Sequence, residues 1–75
     1  FNPTTTIEFE IQKSGPVTLE IFNLMGQKVA SVVNQNLNPG TYKVIVDGSN
    51  LASGIYFYRL TAGEYSAIKK MTLVK

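Results

Sequence analysis

Apolar and polar side chains alternate with a period of two along this chain, and that feature most restricts its fold. In residues 5–11, for example, Ile7, Phe9 and Ile11 fall on one face and glutamates and threonine fall on the other. Residues 17–23 repeat the pattern. An amphipathic helix needs a period near 3.6, and no segment has it. The alternation therefore predicts an all-β protein.

Turn residues divide the chain into short strands at regular spacing. The predicted strands cover residues 5–11, 17–23, 28–33, 41–46, 55–61 and 65–74, and a bend near Lys69 and Lys70 would make a seventh. We expect irregular chain over 34–40 and 47–54, and a two-residue link at Ala62 and Gly63. The strand at 55–61 is apolar on both faces, as a central strand would be. Residues 1–75 are too few for a second core, so we predict one small immunoglobulin-like antiparallel β-sandwich.

Five residues are expected to determine the fold. Gly26 would close the first hairpin, Gly40 the turn after Pro39, and Gly54 the entry to the central strand, because glycine accepts backbone angles that other residues avoid. Tyr42 and Tyr56 each follow a glycine by two residues. We expect both rings to be buried with their hydroxyls at the rim of the core.

The composition leaves little for catalysis, redox chemistry or metal binding. The chain has no histidine and no cysteine, which removes the commonest general base, the strongest common nucleophile, disulfides and zinc–thiolate sites. Glu8 and Glu10 would stand about 6.5–7 Å apart on one strand face, near the separation used by inverting glycosidases. Both point to solvent without a cleft, so we predict that the protein is not an enzyme and has no small-molecule substrate.

Two further motifs allow a binding function beside a structural one. Residues 47–50 read Asp-Gly-Ser-Asn, which resembles part of a calcium loop but supplies one carboxylate where several are needed. An ordinary turn explains the same residues, and we expect no cofactor. The aromatic residues at 56–58 and Tyr65 are candidates for a sugar-binding platform, but alternation puts Tyr56 and Tyr58 on one face and Phe57 on the other.

The charges do not favour nucleic acid or membrane partners. The formal net charge is +2, which is far from the dense basic surface that nucleic-acid binding requires. The basic residues that could cluster are Lys43, Arg59, Lys69, Lys70 and Lys75. No apolar run approaches the roughly 20 residues that span a bilayer as a helix. The chain begins at Phe1 without a signal peptide, so we expect it to be a piece of a larger protein.

A family resemblance rests on the order of several short motifs. These are Asn-Pro-Thr-Thr-Thr-Ile at 2–7, Ile-Phe-Asn-Leu-Met-Gly-Gln-Lys-Val at 21–29, Pro-Gly-Thr-Tyr at 39–42, Asp-Gly at 47–48, Leu-Ala-Ser-Gly-Ile-Tyr-Phe-Tyr-Arg-Leu at 51–60 and Lys-Lys-Met-Thr-Leu-Val-Lys at 69–75. Read in this order, the chain resembles the type A C-terminal sorting domain of the type IX secretion system. The family often has tryptophan before Asp-Gly, where this chain has Val46.

The resemblance implies a module that ends a larger secreted passenger protein. Such a passenger would cross the inner membrane of a Gram-negative bacterium by its own signal peptide and pass through the periplasm. The outer-membrane translocon would then recognise the domain. A sortase-like peptidase would remove it upstream of the folded part, before Phe1, and the product would be secreted or held at the cell surface.

We expect the translocon to contact exposed features at the end of the chain. The candidate recognition residues are Lys69, Lys70, Leu73, Val74 and Lys75. Leu73 and Val74 point to opposite faces of a strand, so one would anchor in the domain and the other would meet the receptor. The alternative is an immunoglobulin- or fibronectin-like spacer, or an adhesive carbohydrate-binding module, of a cell-surface protein. A sorting signal ends its parent, so the motif at 69–75 favours sorting.

Overall fold

The computed structural model describes residues 3–74 and contains six β-strands. The strands are β1 (Thr4–Ile11), β2 (Gly15–Asn23), β3 (Lys28–Leu37), β4 (Gly40–Asp47), β5 (Gly54–Ala62) and β6 (Tyr65–Leu73). Every strand pair is antiparallel. No helix in residues 3–74 is long and apolar enough to cross a membrane.

The six strands form two sheets that pack face to face. One sheet has two strands, β1 and β4, and the other has four, in the order β3-β2-β5-β6. Both sheets contribute to one core, whose buried residues are Ile7, Phe9, Ile11, Val17, Leu19, Ile21, Val33, Val46, Tyr56, Leu60 and Leu73. The predicted all-β immunoglobulin-like sandwich is confirmed, and β5 is an inner strand as predicted.

The two-stranded sheet follows its sequence pattern closely. Phe9 pairs with Tyr42 across the sheet, and their rings stack with centroids 5.7 Å apart. Glu8 pairs with Lys43 on the outer face, where their charged atoms are 3.6 Å apart. The alternation of apolar and polar residues therefore places one face of this sheet on the core and the other in solvent.

Strand β3 is longer than predicted, because the polar residues 34–36 belong to it and not to a loop. They pair with residues 16–18 of β2. β3 is an edge strand, and the side chains of Asn34 and Asn36 are exposed. These polar residues therefore pair through their main chain while their side chains stay in solvent, so no polar side chain has to lose its hydration. Register shifts opposite Leu19/Glu20 and Ile21/Phe22 also break the period-two pattern in β3.

Two predictions about the end of the chain were wrong. No bend interrupts Lys69 and Lys70, because β6 keeps one register with β5 from Tyr65 to Leu73. The link between these strands is Gly63-Glu64 and not Ala62-Gly63, since Ala62 already pairs with Tyr65. Gly63 has a φ of 61°, which suits a tight hairpin turn.

Candidate functional site

The terminal strand β6 forms one edge of the four-stranded sheet. It pairs with β5 along its whole length, and no strand within residues 3–74 pairs with its other side. Alternate residues of this edge therefore direct main-chain N–H and C=O groups outward. An edge of this kind is a template on which another chain can add a strand.

The predicted recognition residues lie in three different environments. Lys69 and Lys70 are both exposed, but Lys69 is paired with Tyr58 on the inner face and Lys70 with Phe57 on the outer face. Leu73 is 1% exposed and belongs to the core, whereas Val74 is 58% exposed. Lys75 lies outside the described residues. That these residues contact the translocon stays a prediction.

An apolar surface that the sequence analysis missed adjoins Lys70 on the outer face of the four-stranded sheet. Phe22 and Phe57 pair across β2 and β5, and Phe57 pairs in turn with Lys70. Ile68 on β6 is 64% exposed and extends the surface, together with Ile55. The available signal was the apolar character of both faces of β5.

Charged groups border this surface on the side away from the chain terminus. The Arg59 guanidinium lies 4.9 Å from the centre of the Phe22 ring and 3.1 Å from a Glu20 carboxylate oxygen. Lys28 reaches the other Glu20 oxygen at 3.4 Å. The hydrogen bond from Arg59 is the largest cause that lowers the pKa of Glu20, with a smaller contribution from Lys28. Within residues 3–74, Lys69 and Lys70 make no such ion pair.

The two tyrosines of the predicted fold motif share one hydrogen-bond geometry. The Tyr42 hydroxyl donates to the Asn38 carbonyl at 2.6 Å, and the Tyr56 hydroxyl donates to the Ala52 carbonyl, also at 2.6 Å. Each bond spans four residues and encloses a glycine, Gly40 or Gly54. Tyr56 is buried as expected, whereas the expected burial of Tyr42 is wrong, since that residue is half-buried against the core. Each tyrosine thus fixes the turn that leads into its own strand.

The turn between β2 and β3 depends on Asn23 and Gly26. The Asn23 side-chain oxygen accepts hydrogen bonds from the main-chain N–H groups of Met25 and Gln27, each at 3.0 Å. The Gly26 N–H donates to the Asn23 carbonyl at 3.0 Å. Gly26 has a φ of 85°, which side chains disfavour. That the five motif residues determine the fold stays a prediction.

The alternative sites of the sequence analysis occupy separate parts of the domain. Glu8 and Glu10 lie on the outer face of β1, where Lys43 forms an exposed ion pair with Glu8. The expectation that they lack a cleft was wrong, because both border a groove along β1. Residues 3–74 contain no group of three or more acidic, histidine or cysteine side chains that could hold a metal ion. An Asp47 carboxylate oxygen accepts the Ser49 main-chain N–H at 2.9 Å and also contacts the Ser49 hydroxyl, as in an ordinary turn.

The aromatic and basic residues do not assemble into one surface. Tyr56 is in the core, Phe57 faces outward and Tyr65 is exposed on β6. Lys43 belongs to the other sheet, and Lys69 and Lys70 point to opposite faces. This arrangement provides neither a continuous sugar platform nor a dense basic surface. What it provides is an open strand edge with charged and apolar side chains beside it.

Comparison with known families gives one match across nearly the whole chain. The family described as the secretion system C-terminal sorting domain matches residues 2–75. Comparison with curated proteins and with solved structures gives no significant match. Such domains are sorting signals of the type IX secretion system, and they form part of larger proteins that are secreted or displayed at the cell surface. The match spans far more than half of the chain and agrees with the motifs and the fold, so this chain belongs to the family of secretion system C-terminal sorting domains.

Proposed function

We propose that the outer-membrane translocon recognises this domain through β6 and the residues that follow it. The observation that carries the proposal is the contrast at the end of β6, where Leu73 is buried and Val74 is exposed. Leu73 holds the strand against the core, so Val74 leaves the domain at a defined place. The buried residue has an anchoring role, and the exposed residues supply the contacts.

The free edge of β6 supplies the main-chain part of this recognition. A receptor strand beside β6 would form hydrogen bonds with alternate residues of Tyr65–Leu73. Lys69 and Lys70 point to opposite faces, so a receptor that follows the edge meets a positive charge on each side. Carboxylates on the receptor at these two positions would add specificity, because main-chain pairing alone has none.

The remaining steps follow the type IX route. The passenger crosses the inner membrane by its own signal peptide, and the folded domain presents itself to the translocon from the periplasm. A sortase-like peptidase then cuts upstream of the sandwich. The domain itself performs no catalysis in this scheme; its function is recognition.

An export assay tests the proposal in a host that carries the type IX machinery. A fluorescent passenger is placed between a signal peptide and this domain, and its secreted fraction is measured. Lys70→Glu and Val74→Asp should each reduce secretion several-fold. Asn34→Asp with Asn36→Asp is the matched control, because it changes the net charge as much as Lys70→Glu does, at exposed positions of the opposite edge strand β3. The denaturation midpoint of each purified domain is measured beside its export.

The outcomes separate recognition from folding. Folded Lys70→Glu and Val74→Asp domains that are secreted as well as the parent would show that β6 is not the recognition element. An equal loss of secretion with the Asn34→Asp and Asn36→Asp double variant would indicate a general charge effect and would equally contradict the proposal. An intact fusion that stays in the periplasm would instead support the spacer function.

A further inference from the structure

A groove of about 850 Å³ opens between the two sheets on the side of β1 and β6. β1 forms one wall, and the inner faces of β5 and β6 form the floor. The loop at residues 12–14, the first two residues of β2, and the turn at Gly63 and Glu64 close one end. The volume falls within the roughly 300–1,000 Å³ that ligand sites occupy. The groove is therefore large enough to receive a bound chain segment.

The groove exists because the smaller sheet does not cover the larger one. The two-stranded sheet has no strand beyond β1 within residues 3–74, so the inner face of β6 is left partly open near the Gly63 turn. Tyr65 is 60% exposed and Lys69 is exposed, although both are on the face that points toward the other sheet. Beside them, Tyr58 and Ala67 are half-buried and apolar. One further strand beside β1 would cover this floor.

The free edge of β1 supplies the main-chain groups for such a strand. Thr4–Ile11 pairs with β4 on one side only. Alternate residues of an antiparallel strand direct N–H and C=O away from the partner, which gives about four such residues in a strand of this length. An extended segment laid along β1 would bond to these groups.

Charge determines what kind of segment fits. Glu8 and Glu10 both point outward from β1. Of these two glutamates, Glu8 has an ion-pair partner among residues 3–74, which is Lys43 on the neighbouring strand β4, and Glu10 has none. An added strand would bring the Cβ atoms of its outward residues within about 4.5–5.5 Å of the Cβ atoms of Glu8 and Glu10. Lysine or arginine is favoured at those positions. A second copy of β1 is disfavoured, because it would place glutamates beside Glu8 and Glu10.

We propose that this groove binds an extended segment of another protein as a third strand beside β1. The segment alternates basic residues, which face Glu8 and Glu10, with small apolar residues, which cover Tyr58, Leu60 and Ala67. This contact differs from the recognition of β6 at its free edge, although the inner face of β6 forms part of the groove floor. Its main-chain pairing uses β1 of the other sheet, and it gives the sorting domain a second surface on which a protein partner can bind.

A peptide titration followed by NMR tests the inference with the 75-residue domain. The probe is an eight-residue peptide with blocked ends that alternates valine and lysine, and a valine–glutamate peptide of the same length is the control. The lysine peptide should bind at least tenfold more tightly than the glutamate peptide. Amide shifts should concentrate in Thr4–Ile11 and on the inner face of β5 and β6.

Variants separate a specific site from general charge attraction. Glu8→Gln with Glu10→Gln should weaken binding of the lysine peptide about fivefold to tenfold, as expected for the loss of two exposed ion pairs. Asn34→Lys with Asn36→Lys is the matched control, since it changes the net charge equally on exposed positions of the edge strand β3, which contributes no residue to the lining of the groove. This control should bind the peptide within about twofold of the parent. A lysine peptide that is N-methylated at every residue keeps its side chains but has no main-chain N–H to donate to a strand edge, and it should not bind.

Several results would overturn the inference. These are equal binding of the N-methylated peptide, equal losses in the two double variants, and shifts centred on β3 or on the outer face around Phe57. A fourth is a domain that dimerises in sedimentation without peptide and dissociates when the peptide is added, because the occupant would then be a second copy.

Discussion

The Tyr56 hydroxyl donates a 2.6 Å hydrogen bond to the Ala52 carbonyl, and this bond ties the irregular segment before β5 to the inner strand itself. The Tyr56 ring is 7% exposed and lies in the core shared by the two sheets. One side chain therefore combines two functions: the ring fills space between the sheets, and the hydroxyl satisfies a carbonyl at their rim. Tyr42 repeats the hydrogen bond before β4.

Separate substitutions measure these two contributions of Tyr56. Tyr56→Ala should lower the free energy of unfolding by about 3–5 kcal/mol, as for other buried aromatic residues. Tyr56→Phe keeps the ring and should cost about 0.5–1.5 kcal/mol, the usual net value of one hydrogen bond. Chemical denaturation measures both changes. Tyr65→Ala is the control at an exposed tyrosine and should change stability by less than about 0.5 kcal/mol. A loss under about 1 kcal/mol for Tyr56→Ala would mean that the ring does not support the core.

The sequence predicts the strands of the core well, because burial on one face imposes alternation there. Ile7, Phe9 and Ile11 on β1, and Leu19 and Ile21 on β2, are all buried as their spacing indicates. The paired positions of glycine and tyrosine likewise indicate where β4 and β5 begin. In these segments the local pattern and the tertiary packing require the same conformation.

The sequence does not predict the edges, where main-chain pairing and not side-chain burial determines the structure. Residues 34–36 are polar and resemble a loop, yet they pair with β2. Lys69 and Lys70 resemble a break, yet the register with β5 runs through them. The groove beside β1 depends on how six strands divide into sheets of two and four. That division is a non-local property, which no single segment encodes.

The pH dependence of stability tests the ion pairs of Glu20 with Arg59 and Lys28. The hydrogen bond from Arg59 lowers the pKa of Glu20 in the folded domain, while in the unfolded chain Glu20 titrates near its ordinary value of about 4.3. Below that value the unfolded chain binds more protons than the folded one, so the domain loses stability as the pH falls through the folded pKa. The stabilisation is present above about pH 5 and lost progressively below pH 4.

Glu20→Gln removes this titration and is the appropriate comparison. Between pH 6 and pH 3 the denaturation midpoint of the variant should fall less than that of the parent. Glu64→Gln is the control at an exposed glutamate in the turn before β6, and its midpoint should follow that of the parent. Identical curves for the parent and Glu20→Gln would show that the contacts to Arg59 and Lys28 do not stabilise the fold.

Calcium should have no effect on the melting temperature. Asp47 is the only acidic residue of the segment 47–54, and its carboxylate is engaged with Ser49, whereas calcium takes six to eight oxygen ligands. A thermal melt is recorded in millimolar calcium and again with excess chelator. The two melting temperatures should agree within about one degree, because a ligand stabilises only in proportion to its binding. A rise of many degrees with calcium, abolished by Asp47→Asn, would identify the loop as a metal site.

Two truncations of different length test whether the end of the chain acts through contact with the translocon or through its contribution to the core. Removal of residues 71–75 deletes Leu73, which is 1% exposed, and Met71, which packs against the core. This truncation should cost at least about 2–5 kcal/mol, the range for one large apolar residue, and that is most of the stability of a domain this small. Removal of residues 74 and 75 deletes no described core residue, so the denaturation midpoint should stay near that of the parent.

In the export assay both truncations should hold the fluorescent passenger in the periplasm. Only the shorter one bears on recognition, because its domain remains folded. A domain that lacks residues 74 and 75, keeps its midpoint and is still secreted would place the signal elsewhere on the domain. A shorter truncation that unfolds would show that the last two residues act through stability and not through contact with the translocon.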